Sequence, residues 1–475
     1  MKVDIIMRTM RFPMMLLALL LFPFVTMRAQ TTVEVKTGEE LRKVVAEARP
    51  GTSIILADGS YQFDGELRIS TRASKDRPLN IAAKHRGKAT VVGDSRFVLN
   101  AAEHVAIEGL NFESTNGPAI ELRACSYVRV RRNTFHLKET QRGSWILIDG
   151  IRGDSVRLSH HNRIDHNTFE RKSQLGNFIT VEGTIRTQPQ VSQHDRIDHN
   201  LFADIGPRVE NVLEAIRIGS ATFTLSSGFT VLEDNLFERC DGDPEYISIK
   251  SSDNTIRRNT FRECLGSLSL RHGNRSTVDG NYILGNNRTG SFRDSTGKTW
   301  TLGAGGVRFC GDGMQIVNNY LEGLTGREWD ATFAIINGNA EYGDGQPLTK
   351  HFRIRDARIA FNTLVNNASN MEIGYNGGGF QGNWWHIPPV GLRIESNVIV
   401  GTQDTLIRIF SQPLKSTWKD NVAWATGGAV VARGPIEGVR VVDPKLKKTG
   451  ELWHLPGRRP QGQPLTRKDV GPDAK

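Results

Sequence analysis

The pattern Asn-x-aromatic or Asn-x-aliphatic recurs at Asn133, Asn167, Asn200, Asn235, Asn259, Asn281, Asn319, Asn362 and Asn397, with Asn111 followed directly by its aromatic, Phe112, and it usually closes a short run such as RIDHN, VLEDN or TVDGN. Among the shortest steps are 24 residues, from Asn235 to Asn259, and 22 residues, from Asn259 to Asn281. Either is enough for one turn of a solenoid built from a few short strands, and the 43-residue step from Asn319 to Asn362 leaves room for an inserted loop. A fixed coil with variable inserts predicts an all-β fold, a parallel β-helix. Asn suits its tight corner because it tolerates the left-handed backbone region and its side chain can bond to the coils above and below. Leucine-rich spacing and a 3.6-residue helical period, the marks of other solenoids, are not evident.

One helix is expected, at the start. Thr37 and Glu40 have capping-box spacing ahead of Leu41, Val44, Val45 and Ala48, and Pro50-Gly51 ends the segment. Such a helix would cover the open end of the solenoid, where the first coil exposes strand edges and apolar core.

Residues 1–29 read as a signal peptide: Lys2, Arg8 and Arg11 precede an apolar stretch from Phe12 to Val25, and Ala29 precedes the expected cleavage point. That stretch is short for a membrane span and holds Pro13 and Pro23. No Cys lies near the cleavage region, so no lipid anchor is expected, and the chain is read as periplasmic or secreted. The rest, residues 30–475, is expected to be one β-helix domain, with the Pro/Gly-rich segment after Lys445 an irregular, solvated tail. The formal charge is +10, and loss of the leader, with four basic residues and one acidic, leaves the chain basic. An exported basic protein meets anionic polysaccharide before nucleic acid. Cys240 and Cys264 each lie five residues after a repeat Asn. They are expected to stack on adjacent coils as reduced thiols, because parallel in-register side chains rarely reach disulfide geometry.

Chemistry concentrates where the repeat is tightest. EAIRIG from Glu214, EYISIK from Glu245, GSLSLR from Gly266 and GGVRFC from Gly305 align as consecutive strands. Their period-2 alternation turns Ile247, Ile249, Leu268 and Leu270 inward, and Lys250 and Arg271 outward, on adjacent rungs about 4.8 Å apart. Arg217 and Arg308 fall in a parallel outward column. Glu214 and Glu245 share a position, with Asp243 two residues earlier and Asn211 nearby. These are hard oxygen donors, suited to a Ca²⁺-type ion with positions left for substrate. A surface salt-bridge ladder is the competing reading of the same pattern.

The segments NVLEAIRIG, DPEYISIKS, LSLRHGN with GNYILGN, and GGVRFCG with VNNYLEGL resemble the chondroitinase-B-like polysaccharide lyases of family 6, which include calcium-dependent alginate lyases. The resemblance implies a right-handed parallel β-helix and β-elimination at a uronic acid. It implies Lys250 as general base, Arg271 as general acid, His272 as an adjacent site residue, and Asn211, Asp243 and Glu245 as calcium ligands, with Glu214 beside them. Asp243 departs from the family pattern, which more often has Glu. Arg308, in GGVRFCG, is similar to an arginine of the alginate-acting members that holds a substrate carboxylate, which favours alginate over dermatan sulfate. Arg217, Trp384 and Trp385 are further candidates for sugar contact, with plugging of the solenoid's far end an equal alternative for the two tryptophans.

The chemistry asks for such a set. Removing the C5 proton of a uronate builds enolate charge on its carboxylate, so a cation there lowers the barrier. Arginine hardly deprotonates, so a water or Tyr is the alternative proton donor. A pectin-type hydrolase would need paired Asp residues as acid and base, and none stands beside Lys250 and Arg271. A non-catalytic polysaccharide-binding solenoid would need a groove but no base.

Overall fold

The computed structural model describes residues 31–152, 156–185, 188–378, 384–457 and 462–474. The expected signal peptide lies outside them. Three long parallel sheets run the length of the molecule, each taking one strand from nearly every coil. This is a parallel β-helix. Its core is one continuous column of side chains from Val35 to Ala423.

The coil repeats because its corners are bonded to one another. Asn133, Asn167, Asn200, Asn235, Asn259, Asn281, Asn319, Asn362, Asn397 and Asn421 form a ladder in which each side-chain NH₂ donates to the next Asn Oδ1 at 2.9–3.1 Å. Each Oδ1 also accepts the backbone N–H of the Asn one coil earlier, as in Asn235 N to Asn259 Oδ1 at 3.0 Å. Buried amides are thereby satisfied without water. Two residues later on each coil, Phe112, Phe135, Phe169, Phe202, Phe237 and Phe261 stack inside with centroids 4.6–5.0 Å apart. The inter-strand spacing sets that distance.

Two details differ from the sequence expectation. The left-handed residue at the corner is not the Asn but its predecessor: Arg132, His166, His199, Asp234 and Arg258 have φ of 52–56°. The Asn keeps an ordinary backbone, which leaves its amide free to point inward. Asn111 is not a rung either, because it pairs with Thr134 and so sits one residue past the corner, where Leu110 takes the ladder position.

The helix Gly38–Glu47 closes the first coil. Thr37 Oγ1 accepts Glu40 N–H at 3.1 Å, while Glu40 Oε2 accepts Lys36 N–H at 2.7 Å, a capping box shifted by one residue. Leu41 and Val45 are buried against the solenoid end. A strand Thr31–Val35, not anticipated, pairs in parallel with Thr52–Leu56 on the far side of the helix.

The segment after Lys445 is a docked strap rather than a solvated tail. Leu452 packs with Tyr282, Leu284 and Tyr320, and Val470 packs with Leu201, Ala203 and Leu236. Arg262 pairs with Glu451 at 2.8 Å, and Gly471 N–H reaches His199 O at 2.9 Å. The strap therefore runs back over the outer face of one sheet, toward earlier coils. All four cysteines are buried free thiols, and Cys240 N–H lies 3.4 Å from Cys264 Sγ.

Candidate active site

The strands Ile216–Gly219, Glu245–Lys250, Gly266–His272 and Thr299–Phe309 are neighbours in one sheet, as aligned from sequence. Arg217, Ser248, Ser269 and Arg308 share one outward row. The second row is displaced by an irregularity between Ile249 and Lys250, so Lys250 stands opposite His272 rather than Arg271. A bulge of this kind re-aims side chains, and here it brings three functional groups to two rungs.

Glu245 is the centre of the cluster. Its carboxylate lies 2.5 Å from Arg308 Nη2 and 3.5 Å from Arg271 Nε, and it accepts hydrogen bonds from the Ser248 hydroxyl and, at 3.2 Å, from the Ser269 hydroxyl. Burial would raise its pKa, but Arg308, Lys250 and Arg271 hold it down at about 2. Lys250 Nζ lies 3.7 Å from Glu214 Oε1, and Glu214 is fixed by Asn177 Nδ2 at 2.7 Å. Asp243 is different: burial, then Glu214 and Glu245, push its carboxyl up to about 8. It accepts backbone N–H groups from Glu245 at 2.9 Å and Leu213 at 3.4 Å.

Accessibility separates these residues. The side chains of Lys250 and Arg271 are 19% and 24% exposed, within reach of a ligand, whereas Arg308 is at 8%. Arg308 is thus not free on the outer face, as the sequence suggested, but buried on Glu245, because inserted loops cover its row. Its guanidinium lies 5.4 Å from the centre of the Trp329 ring. Arg217 is paired with Glu182 at 2.7 Å. Trp385 is buried in an aromatic cluster, 4.9 Å from Trp329 and 5.1 Å from His351, so it walls the site rather than offering a face. Trp384 is exposed.

Two polar atoms next to Lys250 have no hydrogen-bond partner among the described residues: Arg271 Nη1 and His272 Nδ1, both buried. Burial, then Arg271 and Lys250, push the His272 imidazole down to about 3, so it is neutral. His351, which sequence reasoning missed, is likewise held neutral by burial and by Arg271 and Arg308. It lies on the loop inserted between Asn319 and Asn362. The long step marked the insertion, but nothing in the pattern told that it folds back over the site. Asn177 and Trp329 were missed for the same reason, being set by contacts between coils rather than by the repeat.

The candidate cation ligands are three buried carboxylates, Glu214, Asp243 and Glu245, and an amide. Asn211 is exposed, and its Oδ1 accepts Val212 N–H at 2.9 Å. Among the described residues no three His, Cys, Asp or Glu side chains form a metal site by themselves. The donors present still suit a hard cation, since burial and then two neighbouring carboxylates push the Asp243 carboxyl up, and among the described residues no cationic side chain pairs with it.

The family model of chondroitinase B matches residues 35–384. This chain belongs to the chondroitinase B family. No curated protein matches it. Among solved structures, this family member is similar to the PL6 family alginate lyase AlyGC, with 27% identity and a TM-score of 0.77, over 93% of this chain and 58% of that one. The chain therefore spans little more than half the length of AlyGC. It also shares its fold with a mannuronic-acid-specific family 6 lyase from human gut microbiota, at 24% identity and TM-score 0.69, covering 87% of this chain and 91% of that chain. The alginate lyase AlyF-OU02 is a further match in fold, at 21% identity and TM-score 0.72, covering 94% of this chain and 95% of that chain.

Proposed function

We propose that this chondroitinase B family member is an exported polysaccharide lyase that cleaves alginate by β-elimination. The observation that carries the reading is a reachable amine, Lys250, flanked on the next rung by Arg271 Nη1 and His272 Nδ1, two buried polar atoms with no hydrogen-bond partner among the described residues. An unsatisfied polar atom costs free energy that a bound ligand can recover. A uronate supplies the matching groups.

In this reading Lys250 Nζ takes the C5 proton, the C5–H electrons form the C4=C5 double bond, and the C4–O bond breaks with its electrons left on the departing oxygen. That oxygen takes a proton from Arg271 or from a water held by it. Arg271 is kept cationic by Glu245 although burial pushes it down, so its main effect is electrostatic, on charge developing at the leaving oxygen. Neutral His272 can accept or donate one hydrogen bond without adding a charge. Glu214, fixed by Asn177, holds the amine in place. Asn211, Asp243 and Glu245 are the proposed holders of a Ca²⁺ ion, which when bound supplies positive charge to the substrate carboxylate.

Alginate is preferred because every sugar carries a carboxylate and AlyGC, at 27% identity, is an alginate lyase. The test is incubation with alginate, pectate and dermatan sulfate while following the ultraviolet absorbance of 4,5-unsaturated uronate ends. Absorbance should rise fastest with alginate. A faster rise with dermatan sulfate overturns the substrate, and none with any of the three overturns the activity.

A further inference from the structure

A hairpin stands beside the site and has no part in the chemistry above. Its strands Thr289–Arg293 and Thr299–Gly303 pair antiparallel, with Phe292 opposite Trp300 and Gly290 opposite Leu302. The second strand continues without a break into the site strand that carries Arg308. The base is held by Arg288, which pairs with Asp241 at 2.6 Å, two residues before Asp243. The tip is held by Ser295, whose hydroxyl donates to Glu210 Oε1 at 2.9 Å, one residue before Asn211. Three independent anchors thus place this arm along the carboxylate edge of the site.

The tip is rigid and carries an unusual pair. Asp294 accepts hydrogen bonds from Thr296 N–H at 2.9 Å, Thr296 Oγ1 at 2.6 Å, Lys298 N–H at 2.9 Å and Trp300 Nε1 at 2.7 Å, so one carboxylate fixes both the turn and the indole plane. Trp300 is 44% exposed, with Lys298 Nζ 3.5 Å from the centre of its ring. Among the described residues no carboxylate pairs with Lys298 Nζ. An exposed indole held in one orientation presents a large apolar plane at little entropic cost. An ammonium at its face, free of ion pairs, can turn to an anion without breaking a salt bridge. Together they match a sugar ring that carries a carboxylate. Arg293, exposed on the same hairpin, adds a second positive charge.

We infer that the hairpin Thr289–Gly303 is a distal uronate subsite, in which Trp300 stacks on one sugar of the polysaccharide and Lys298 takes that sugar's carboxylate. The inference rests on the reading of the protein as a uronan lyase. It assigns the arm the job of holding sugars that do not react. Trp300 lies eight residues along one strand from Arg308, the partner of Glu245 at the centre of the site, roughly 26 Å at about 3.3 Å per residue, so only a chain of several sugars reaches from Lys250 to Trp300.

The test compares Trp300→Ala and Lys298→Ala with the wild type on alginate hexasaccharide and on alginate trisaccharide, by kcat/KM and by titrating intrinsic tryptophan fluorescence. On the hexasaccharide each variant should lose about tenfold in kcat/KM, through KM, while the trisaccharide is cleaved as by the wild type. Hexasaccharide should quench wild-type fluorescence more than it quenches Trp300→Phe. Lys298 is exposed and its loss cannot disturb folding, so it keeps the test valid if Trp300→Ala is poorly folded. Equal loss on both substrates, or no loss on either, overturns the subsite and leaves the lyase reading in place. Failure of the wild type to bind or cleave either oligosaccharide overturns both.

Discussion

Asp195 is buried at a corner of the solenoid where equivalent positions on other coils carry Asn162 and Asn254. Its Oδ1 accepts Asn162 N–H at 2.8 Å and Asn162 Nδ2 at 3.0 Å, and its other oxygen accepts the Ser192 hydroxyl. All three donors are neutral. Burial therefore dominates and pushes the carboxyl up to about 6, against about 3.9 for an unfolded Asp. Below pH 4 both states hold the proton and the group has no effect on stability. Between pH 4 and 6 the unfolded chain ionises while the folded one keeps its proton, so stability falls with rising pH and stays low above pH 6. Two pKa units correspond to about 3 kcal/mol. Asp195→Asn keeps an oxygen for Asn162 and turns its NH₂ to Ser192, whose hydroxyl donates onward to Ser159 O at 2.7 Å. The variant should therefore be more stable than the wild type by about 3 kcal/mol at pH 8 and equal to it at pH 4, which for a chain of this size is a Tm difference of about 3 °C. Thermal unfolding followed by circular dichroism across that range reads it directly. A variant less stable at pH 8, or a difference that does not change with pH, would refute the reasoning.

Asn259→Leu removes one rung of the ladder and leaves the buried N–H of Asn235 without its acceptor, so it should cost about 2–4 kcal/mol in denaturant unfolding, far more than the same change at exposed Asn286. Deleting residues 446–475 uncovers Tyr320 and Leu236 and should cost a few kcal/mol, on the order of 1.5–3 for each lost anchor such as Leu452 or Val470, read as a lower Tm and faster proteolysis with kcat unchanged. Exhaustive chelation should abolish turnover and Ca²⁺ restore it better than Mg²⁺, which insists on a smaller octahedral shell; full activity after chelation contradicts the cation role given to Asn211, Asp243 and Glu245. Arg308→Ala takes from Glu245 its nearest cation, so both Tm and kcat/KM should fall; a change in KM alone would return Arg308 to a simple substrate contact.

The fold was legible because the repeat is covalent arithmetic: Asn at 22- and 24-residue steps, with an inward aromatic two residues on, has few solutions other than a β-helix. The sheet alignment followed from alternation, and it placed Arg217 in the row of Arg308, as found. What alternation cannot show is a bulge, because one extra residue leaves the pattern of Ile249 and Leu270 intact while it moves Lys250 from Arg271 to His272. Nor can it show what an insert covers. Arg308 reads as an outward residue on its strand and is buried only because Trp329 and the loop bearing His351 pack over it. The strap after Lys445 was missed for a related reason, its polar composition concealing the spaced anchors Leu452 and Val470.

The most direct test of the central claim is the product made by the wild type and by Lys250→Ala from alginate in H₂¹⁸O. The wild type should give unsaturated ends without ¹⁸O, and Lys250→Ala should bind the polymer yet lose on the order of 10²–10⁴ in kcat, with Lys250→Arg no better because a guanidinium cannot act as a base near neutrality. Substantial turnover by Lys250→Ala, or saturated products carrying ¹⁸O, would contradict elimination by this lysine.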